Sequence, residues 1–278
     1  MWTVENRRLY DHSGLRYPSD VADDEWTLVE PLIPPARRGG RPRKVDLREV
    51  LDAIFYVLAT GCQWRALPKG LPPKSTVWEY LDLWSWDGTL RQIHHLLYME
   101  VREREGREAS PTVAIIDSQS VKGAEKGGVQ IDPTGYDAGK KVKGKKRHLA
   151  VDTLGLLLRV EVGPASVQDR DGAPPLLAAM RKLFPFLKKI IADGAYRGEA
   201  TAAAVRAIAN WQLEIVKRAA AAGFVLLPKR WIVERTFAWL GRCRRLAKDF
   251  ENLARIATAF IYLAMIRLML RRLARPAK

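Results

Sequence analysis

Apolar residues recur at two different spacings along the chain, and the change in spacing separates an N-terminal from a C-terminal region. Up to about residue 105 they recur every three or four positions, which is typical of helices that bury one face. A helix is predicted over 46–60, because Asp46 and Glu49 have capping-box spacing at its start and Gly61 follows its end. Further helices are predicted from Ser75, with Thr76 and Glu79 at capping-box spacing, and from Asp87.

The C-terminal region has short β-branched runs that alternate with helical patterns. Strands are predicted over 112–116, 148–153, 156–162, 189–192 and 213–216, with a hairpin at Leu154-Gly155. Helices are predicted over 174–184, 199–210, from Lys229 onward and over 252–273. This order, β-β-β-α-β-α-β-α, is shared by the ribonuclease H-like fold. We therefore expect a mixed α+β chain, with a helical domain over 1–105 and a ribonuclease H-like mixed sheet flanked by helices over 106–278.

Positive charge is concentrated in the second region. The 278 residues contain 47 Lys and Arg against 31 Asp and Glu, a net charge of +16. Residues 1–100 contain 13 basic and 14 acidic residues, so the remaining 34 and 17 leave all of the excess beyond residue 100. Basic runs occur at 37–44, 140–147 and 229–248. This pattern favours a polyanionic partner, and nucleic acid fits best.

Two features of the helical region bear on that partner. The segment 37–44 is either an arm that enters a DNA minor groove or a charged linker. The helices that meet near Asp87 resemble a helix-turn-helix unit, a pattern that many helical domains share without binding DNA.

Composition excludes several classes of protein. Cys62 and Cys243 lie 181 positions apart, which excludes a disulfide scaffold and a cysteine-rich zinc site and fits a reducing cytoplasm. The first 14 residues contain no apolar leader, and the longest apolar stretch near the C-terminus, 256–266, is too short to cross a bilayer. We expect a cytoplasmic protein without a membrane partner.

Two aspartates end apolar strands, and a glutamate lies on a helix. Asp117 follows the first predicted strand and Asp193 the fourth, and in a ribonuclease H-like sheet these strands are neighbours. Two carboxylates at adjacent strand ends repel each other unless a divalent cation lies between them. Glu234, on the helix after Lys229, is the candidate third member, although with Arg230 it has the spacing of a surface ion pair.

Several segments together resemble bacterial insertion-sequence DDE transposases. They are Ile115–Ser118, Ala192–Arg197 and Arg230–Trp239, with further similarity at Gly135–Lys141 and Arg37–Arg43. The resemblance spans about 19–250, and the 41-residue interval from Asp193 to Glu234 is too short for the β insertion of some relatives. The family pattern places Tyr and Lys where this chain has Leu227 and Gly241, and Arg242 or Arg244 is the expected substitute for that Lys.

The resemblance implies a DNA transposase whose catalytic and metal-binding residues are Asp117, Asp193 and Glu234. It implies two Mg²⁺ ions, with Mn²⁺ as a substitute, because hard divalent ions prefer carboxylate oxygens. The reaction cleaves DNA at terminal inverted repeats and joins the 3′-hydroxyl to target DNA. The segment 123–147 is expected to be a mobile loop that closes on DNA. DNA contacts are expected at Arg38, Arg41, Arg43, Lys44, Lys140, Lys141, Lys143, Lys145, Lys146, Arg147, Arg197, Arg230, Trp231, Arg235, Arg242 and Arg244.

Other functional assignments remain open from the sequence. His148 is expected to be structural, Trp231 to pack rather than stack on an extruded base, and Asp169 and Asp171 to cap a helix. A DNA-binding regulator with an unused triad and a nuclease without strand transfer are the alternative functions. Because an element has two ends, a homodimer on paired ends, associated with the bacterial nucleoid, is expected. The apolar helix 252–273 is either part of that dimer contact or buried within one chain.

Overall fold

The computed structural model describes residues 13–36, 39, 43–127, 130–216 and 229–275, and the backbone alone at Arg230. The chain forms two compact units. The first contains the residues up to Arg107, Cys243–Arg245 and the C-terminal residues from Tyr262, and the second contains Glu108–Arg242 and Leu246–Ile261.

Among its described N-terminal residues, the first unit contains four α-helices: α1 (Asp23–Val29), α2 (Leu47–Thr60), α3 (Lys74–Trp86) and α4 (Thr89–Arg104). The predicted ends of α2 are confirmed. The Asp46 carboxylate accepts from the Arg48 backbone N–H at 2.8 Å, and Gly61 ends the helix with φ of 69°. Thr76 does not cap α3, because that helix begins after Pro73 and has no side-chain cap.

The second unit is built on a six-stranded mixed sheet. Its strands are β1 (Val113–Lys122), β2 (Gly135–Asp137), β3 (Val142–Val151), β4 (Leu157–Pro164), β5 (Lys189–Ala192) and β6 (Gln212–Ile215). β1 pairs antiparallel with β3 and parallel with β5, β5 pairs parallel with β6, and the outer edge of β3 pairs with β4 and β2. This is the ribonuclease H-like arrangement. The antiparallel strands β1, β3 and β4, with the short β2 added at the edge of β3, precede β5 and β6, which run parallel to β1.

Two strands are longer than the apolar pattern predicts. β1 does not end at Asp117 but continues for five more residues, because Ser118–Lys122 pair with β3. β3 begins at Val142 rather than His148, so the basic run lies within the sheet. The expected loop over 123–147 is therefore shorter. Its first part is attached to a C-terminal segment, where the Ala124 N–H donates to the Asp249 carbonyl at 2.9 Å.

The helices of the second unit are α5 (Asp169–Ala178), α6 (Glu199–Ala209) and α7 (Arg230–Gly241). α5 begins five residues before the predicted start at Pro174, so both Pro174 and Pro175 lie inside it. They are its sixth and seventh residues, beyond the first four N–H groups that have no partner within a helix, so each proline removes one N–H donor from the helical ladder.

The last helix, α8 (Ala254–Leu273), is divided between the units at Ile261 and Tyr262. The sequence assigned all of 106–278 to one domain, whereas the structure groups the last turns with the first unit. Arg104 explains this grouping, because its guanidinium donates to the Arg272 carbonyl at 3.1 Å and the Leu273 carbonyl at 2.5 Å. Nearly all apolar residues of α8 are buried within the chain, as the intrachain alternative expects.

Candidate active site

Two aspartates lie just beyond the segment in which β1 and β5 pair in parallel. Ile115 of β1 pairs with Ile191 of β5. Asp117 and Asp193 each come two residues after these partners in the sequence. Side chains two positions apart on a strand share a face. Ile115 and Ile191 pack in one apolar cluster with residues of α7, so both aspartates follow on the sheet face that α7 covers.

A backbone N–H close in sequence orients each aspartate. Asp117 accepts from the Ser118 N–H at 2.7 Å, and Asp193 accepts from the Ala195 N–H at 2.8 Å, where it caps the short 3₁₀ turn Gly194–Tyr196. Both aspartate side chains are half-buried. Each carboxylate therefore accepts a hydrogen bond from a backbone N–H one or two residues further along the chain.

Helix α7 brings Glu234 to the same face of the sheet. Ile232 and Val233 are buried against the strands, and Glu234 is exposed next to them. Within the described ranges, no three His, Cys, Asp or Glu side chains are close enough together to hold a metal ion. Asp117 and Asp193 thus lie two residues beyond an in-register pair of strand residues, and Glu234 lies on the helix that covers the same face of the sheet.

The chemistry of these three donors fits a hard divalent cation. Carboxylate oxygens are the ligands that Mg²⁺ and Mn²⁺ prefer. Asp117 within β1 and Asp193 just after β5 present two of them on one face of the sheet. Asp117 and Asp193 also act together on the same neighbour, because both raise the pKa of the buried Tyr196 hydroxyl, after the larger effect of burial itself. Negative charge is therefore concentrated at this edge.

A polar network lies beside Asp117. The Ser118 hydroxyl donates to Asp169 at 2.6 Å, and the buried Lys146 ammonium lies 3.0 Å from Asp169 and 3.1 Å from Asp137. Burial opposes the charge on Lys146, but the bonds to Asp169 and Asp137 outweigh it and raise the pKa of Lys146. Burial likewise raises the pKa of Asp169, and the hydrogen bonds from Ser118 and Lys146 more than reverse that effect.

Sequence analysis missed this network. It assigned Asp169 to a helix cap, but Gln168 occupies the cap position of α5, and Asp169 bonds to Ser118 and Lys146 instead. Asp171, on the same turn, is exposed. The strand pattern contains a signal for this network. Ser118 and Ser120 are two positions apart, so they place polar side chains on one face of a strand whose apolar part is fully buried.

Half of the six basic residues in the run 140–147 are buried. Lys145, Lys146 and Arg147 were expected to contact DNA, but they are 0%, 4% and 3% exposed. Arg147 donates to Gln119 at 3.3 Å, and burial lowers its pKa to about 10. Lys140 is exposed, yet its ammonium donates to the Ser118 carbonyl at 3.2 Å. The exposed cations of this run are thus Lys140, Lys141 and Lys143.

The other expected DNA contacts lie in varied surroundings. Exposed side chains belong to Arg43, Lys44, Arg197, Arg242 and Arg244. Trp231 is 39% exposed. Arg235 is not directed at solvent, because its guanidinium lies 4.6 Å from the Trp231 ring and 4.8 Å from the Trp239 ring. Arg38, Arg41 and the side chain of Arg230 fall outside the described residues.

His148 has the environment of a structural histidine. It is 4% exposed, and neither ring nitrogen has a hydrogen-bond partner within the described part of the chain. A Cβ at Gly172 would lie 2.2 Å from its ring, so the helix backbone packs directly on the imidazole. Burial lowers the pKa of His148 to about 4, which keeps it neutral at pH 7.

The family follows from comparison with known sequences. Residues 108–269, which contain Asp117, Asp193 and Glu234, match the family model of the transposase DDE domain. The chain belongs to the DDE transposase family. A second family model, for candidate transposases of the IS4/5 family, matches residues 21–94. The two matches lie on either side of residue 100.

Individual relatives come from Burkholderia cepacia and Sinorhizobium fredii. An uncharacterized 16.2 kDa protein of insertion element IS402 from Burkholderia cepacia is 37% identical over 109 residues, covering 37% of this chain and 73% of that protein. A candidate transposase for IS402 from the same organism is 33% identical over 129 residues, covering 43% of this chain and 60% of that protein. The uncharacterized protein y4sN of Sinorhizobium fredii is 29% identical over 112 residues, covering 40% and 78%.

Among solved structures, the chain aligns with the Mos1 mariner paired end complex with Mn. The alignment covers 97% of this chain and 90% of that one, at 16% identity and a TM-score of 0.28. No helix within the described ranges is both long and apolar enough to cross a membrane.

Proposed function

We propose that this chain is the transposase of a bacterial insertion sequence. It binds the terminal inverted repeats, cleaves DNA at the ends of the element and joins the freed 3′-hydroxyl to target DNA. The observation that carries the proposal is the placement of Asp117 and Asp193 beyond an in-register strand pair, on the face that the Glu234 helix covers. Membership of the DDE transposase family supports it.

Asp117, Asp193 and Glu234 would hold the divalent ions, two Mg²⁺ or Mn²⁺ in their place. When bound, such ions activate the attacking oxygen and stabilise the leaving oxygen of a phosphodiester. The backbone N–H groups of Ser118 and Ala195 orient the two aspartates before any ion binds. Glu234 is exposed on the helix that covers the same face of the sheet.

DNA would contact both units. In the second unit, the exposed cations Lys141, Lys143 and Arg197 are the candidates for phosphate contacts near the catalytic edge. In the first unit, the segment that contains Arg43 and Lys44 adjoins the helices that we assign to end binding. Phosphate contacts fix the position of the protein on DNA, and a separate set of base contacts must read the terminal repeat.

Two copies of the chain would act on one element, because two ends must be cut and each chain provides one proposed site. The apolar residues of α8 are buried within the chain, so this helix does not offer them as a contact between free monomers. We therefore place the dimer on paired ends, where DNA offsets the repulsion between two basic units. Light scattering of the complex with terminal-repeat DNA tests this, and one chain per pair of ends would exclude it.

Cleavage of a labelled terminal-repeat duplex tests the proposed triad. Asp117→Asn, Asp193→Asn and Glu234→Gln should each lower the cleavage rate by about 10³-fold, which corresponds to ~4 kcal/mol of transition-state stabilisation. End binding in a gel-shift assay should stay within about twofold of wild type, because the substitutions do not touch the exposed cations. Asp171→Asn, an exposed carboxylate on α5, is the matched control and should cleave normally.

Two outcomes would redirect the proposal. A triad variant that cleaves like wild type would remove that residue from the active site. Binding without cleavage by the wild-type protein, in Mg²⁺ and in Mn²⁺, would favour the regulator. A nuclease without strand transfer would cleave the duplex but would not join its 3′-hydroxyl to target DNA.

A further inference from the structure

Helix α7, which carries Glu234, is attached at its middle to the turn between β3 and β4. The Thr236 hydroxyl donates to the Gly155 carbonyl at 2.7 Å, and the Arg235 guanidinium donates to the Leu154 carbonyl at 2.9 Å. Thr236 is fully buried. Two adjacent residues of the helix therefore bind two adjacent carbonyls of one turn.

The turn is held rigid by a buried carboxylate. Asp152, which is fully buried, accepts from the backbone N–H groups of Leu154 and Leu156, both at 2.9 Å. The Gly155 N–H donates to the Asp152 carbonyl at 3.0 Å. A carboxylate that accepts two backbone N–H groups fixes the path of the chain between them. The carbonyls of Leu154 and Gly155 thus present a fixed pair of acceptors to the helix.

The contact is tight enough to exclude other residues from the turn. A Cβ at Gly155 would lie 3.1 Å from Arg235, Thr236 and Trp239, and its φ of 76° is a conformation that favours glycine. The Arg235 guanidinium is held between the rings of Trp231 and Trp239, which restricts its rotamers before it meets the turn.

These contacts bracket Glu234 along the helix. Val233 is buried against the sheet on one side of it, and Arg235 and Thr236 bind the turn on the other. Apolar packing alone permits a helix to roll or slide, because dispersion contacts have no preferred direction. The two hydrogen bonds are directional, and a slide of one residue, about 1.5 Å, would break both.

We infer that the Asp152–Leu156 turn sets the position of Glu234, which makes Gly155, Arg235 and Thr236 positioning residues for the third carboxylate. The inference rests on the role of Glu234 in the proposed function. It assigns the half-buried Arg235 side chain to contacts within the protein rather than to DNA. It also predicts that a substitution that disrupts this turn weakens ion binding only because Glu234 is displaced.

Manganese binding in the absence of DNA tests the inference without any activity assay. Free Mn²⁺ is measured by electron paramagnetic resonance as protein is titrated. Thr236→Val keeps the shape of the side chain but removes its donor, and it should weaken Mn²⁺ binding about three- to tenfold, the effect of one lost hydrogen bond. Thr236→Ser keeps the donor and should bind like wild type. Thr201→Val, at a buried threonine on α6, is the control for the substitution itself.

A double variant shows whether the effect passes through Glu234. Glu234→Gln should weaken binding more than Thr236→Val does, and the double variant should bind no worse than Glu234→Gln alone. Wild-type binding by Thr236→Val, or an equal further loss in the Glu234→Gln background, would overturn the inference while leaving the triad intact. Wild-type binding by Glu234→Gln would instead refute the triad, and the inference with it.

Folding of the variants is followed separately. Hydrogen exchange should show faster exchange of α7 amides in Thr236→Val than in Thr236→Ser, with unchanged protection of β1 and β5. If Thr236→Val fails to fold, Arg235→Gln takes its place, because it removes the bond to Leu154 while Thr236 keeps its own. Unchanged Mn²⁺ binding in that variant, together with unchanged α7 exchange, would equally refute the inference.

Discussion

Replacement of Asp249 should destabilise the second unit strongly, because its carboxylate neutralises two buried lysines. Asp249 forms an ion pair with Lys126 and lies 3.9 Å from the Lys145 ammonium. The three side chains are 2%, 5% and 0% exposed. Burial lowers the pKa of Lys145, and the charge of Asp249 is the largest effect that raises it again.

The magnitude follows from the charges left behind. Removing one partner of a buried ion pair costs about 3–5 kcal/mol, because the other charge stays in a medium that solvates it poorly. After Asp249→Ala, Lys126 still donates to the Glu251 carbonyl at 2.5 Å, and Lys145 lies 3.4 Å from the Asn252 carbonyl. The backbone bonds of residue 249 to Lys122 and Ala124 survive the substitution. We therefore expect a loss of about 3–5 kcal/mol.

Denaturant unfolding, followed by tryptophan fluorescence, measures the loss. Glu214→Ala is the control, because Glu214 forms an exposed ion pair with Lys189 at 2.9 Å, and such pairs contribute under about 1 kcal/mol. Adding Lys145→Met to Asp249→Ala should recover part of the stability, since it removes one of the unpaired charges. A loss below about 1 kcal/mol for Asp249→Ala, or a further loss in the double variant, would refute the reasoning.

Three further predictions concern the buried and exposed polar residues. The pKa of His148 is lowered to about 4 by burial, so between pH 6.5 and 4 only the unfolded state takes up its proton, and stability should fall by up to about 3 kcal/mol. His148→Gln should have a shallower acid dependence of unfolding free energy, and an unchanged slope would contradict this. Lys141→Gln with Lys143→Gln should lower the slope of log K against log salt for DNA binding by about 1.8, about 0.9 for each lost phosphate contact, and an unchanged slope would exclude both contacts. Asp169→Asn should lower the thermal midpoint of unfolding and Asp171→Asn should not, because only Asp169 pairs with the buried Lys146; equal midpoints would contradict the network.

Local signals in the sequence predicted much of the fold. Asp46 and Gly61 mark the ends of α2 because capping needs only neighbouring residues. The parallel pairing of β1 and β5 follows from strand order once the fold class is recognised. That pairing places Asp117 and Asp193 on the same face of the sheet. Both aspartates of the candidate site could therefore be predicted from the sequence.

Long-range pairing could not be predicted in the same way. Lys145 and Lys146 appear in the sequence as a solvated basic run, but Asp249 and Asp137 neutralise them from other parts of the chain. For the same reason, the sequence did not predict that β3 contains these lysines and begins at Val142. The attachment of Thr236 to Gly155 joins residues 81 positions apart, and no spacing rule connects a turn glycine to a helix so distant in sequence.

The most direct test of the central claim is strand joining. A terminal-repeat duplex with a recessed 3′-hydroxyl is incubated with supercoiled plasmid and Mg²⁺, and products are sequenced across the junctions. We expect the transferred strand to be joined through its 3′ end, and no joining when that end is 3′-deoxy or when the protein carries Glu234→Gln. Efficient cleavage and specific end binding without any joined product, in Mg²⁺ and in Mn²⁺, would contradict the proposal that this DDE family member is a transposase.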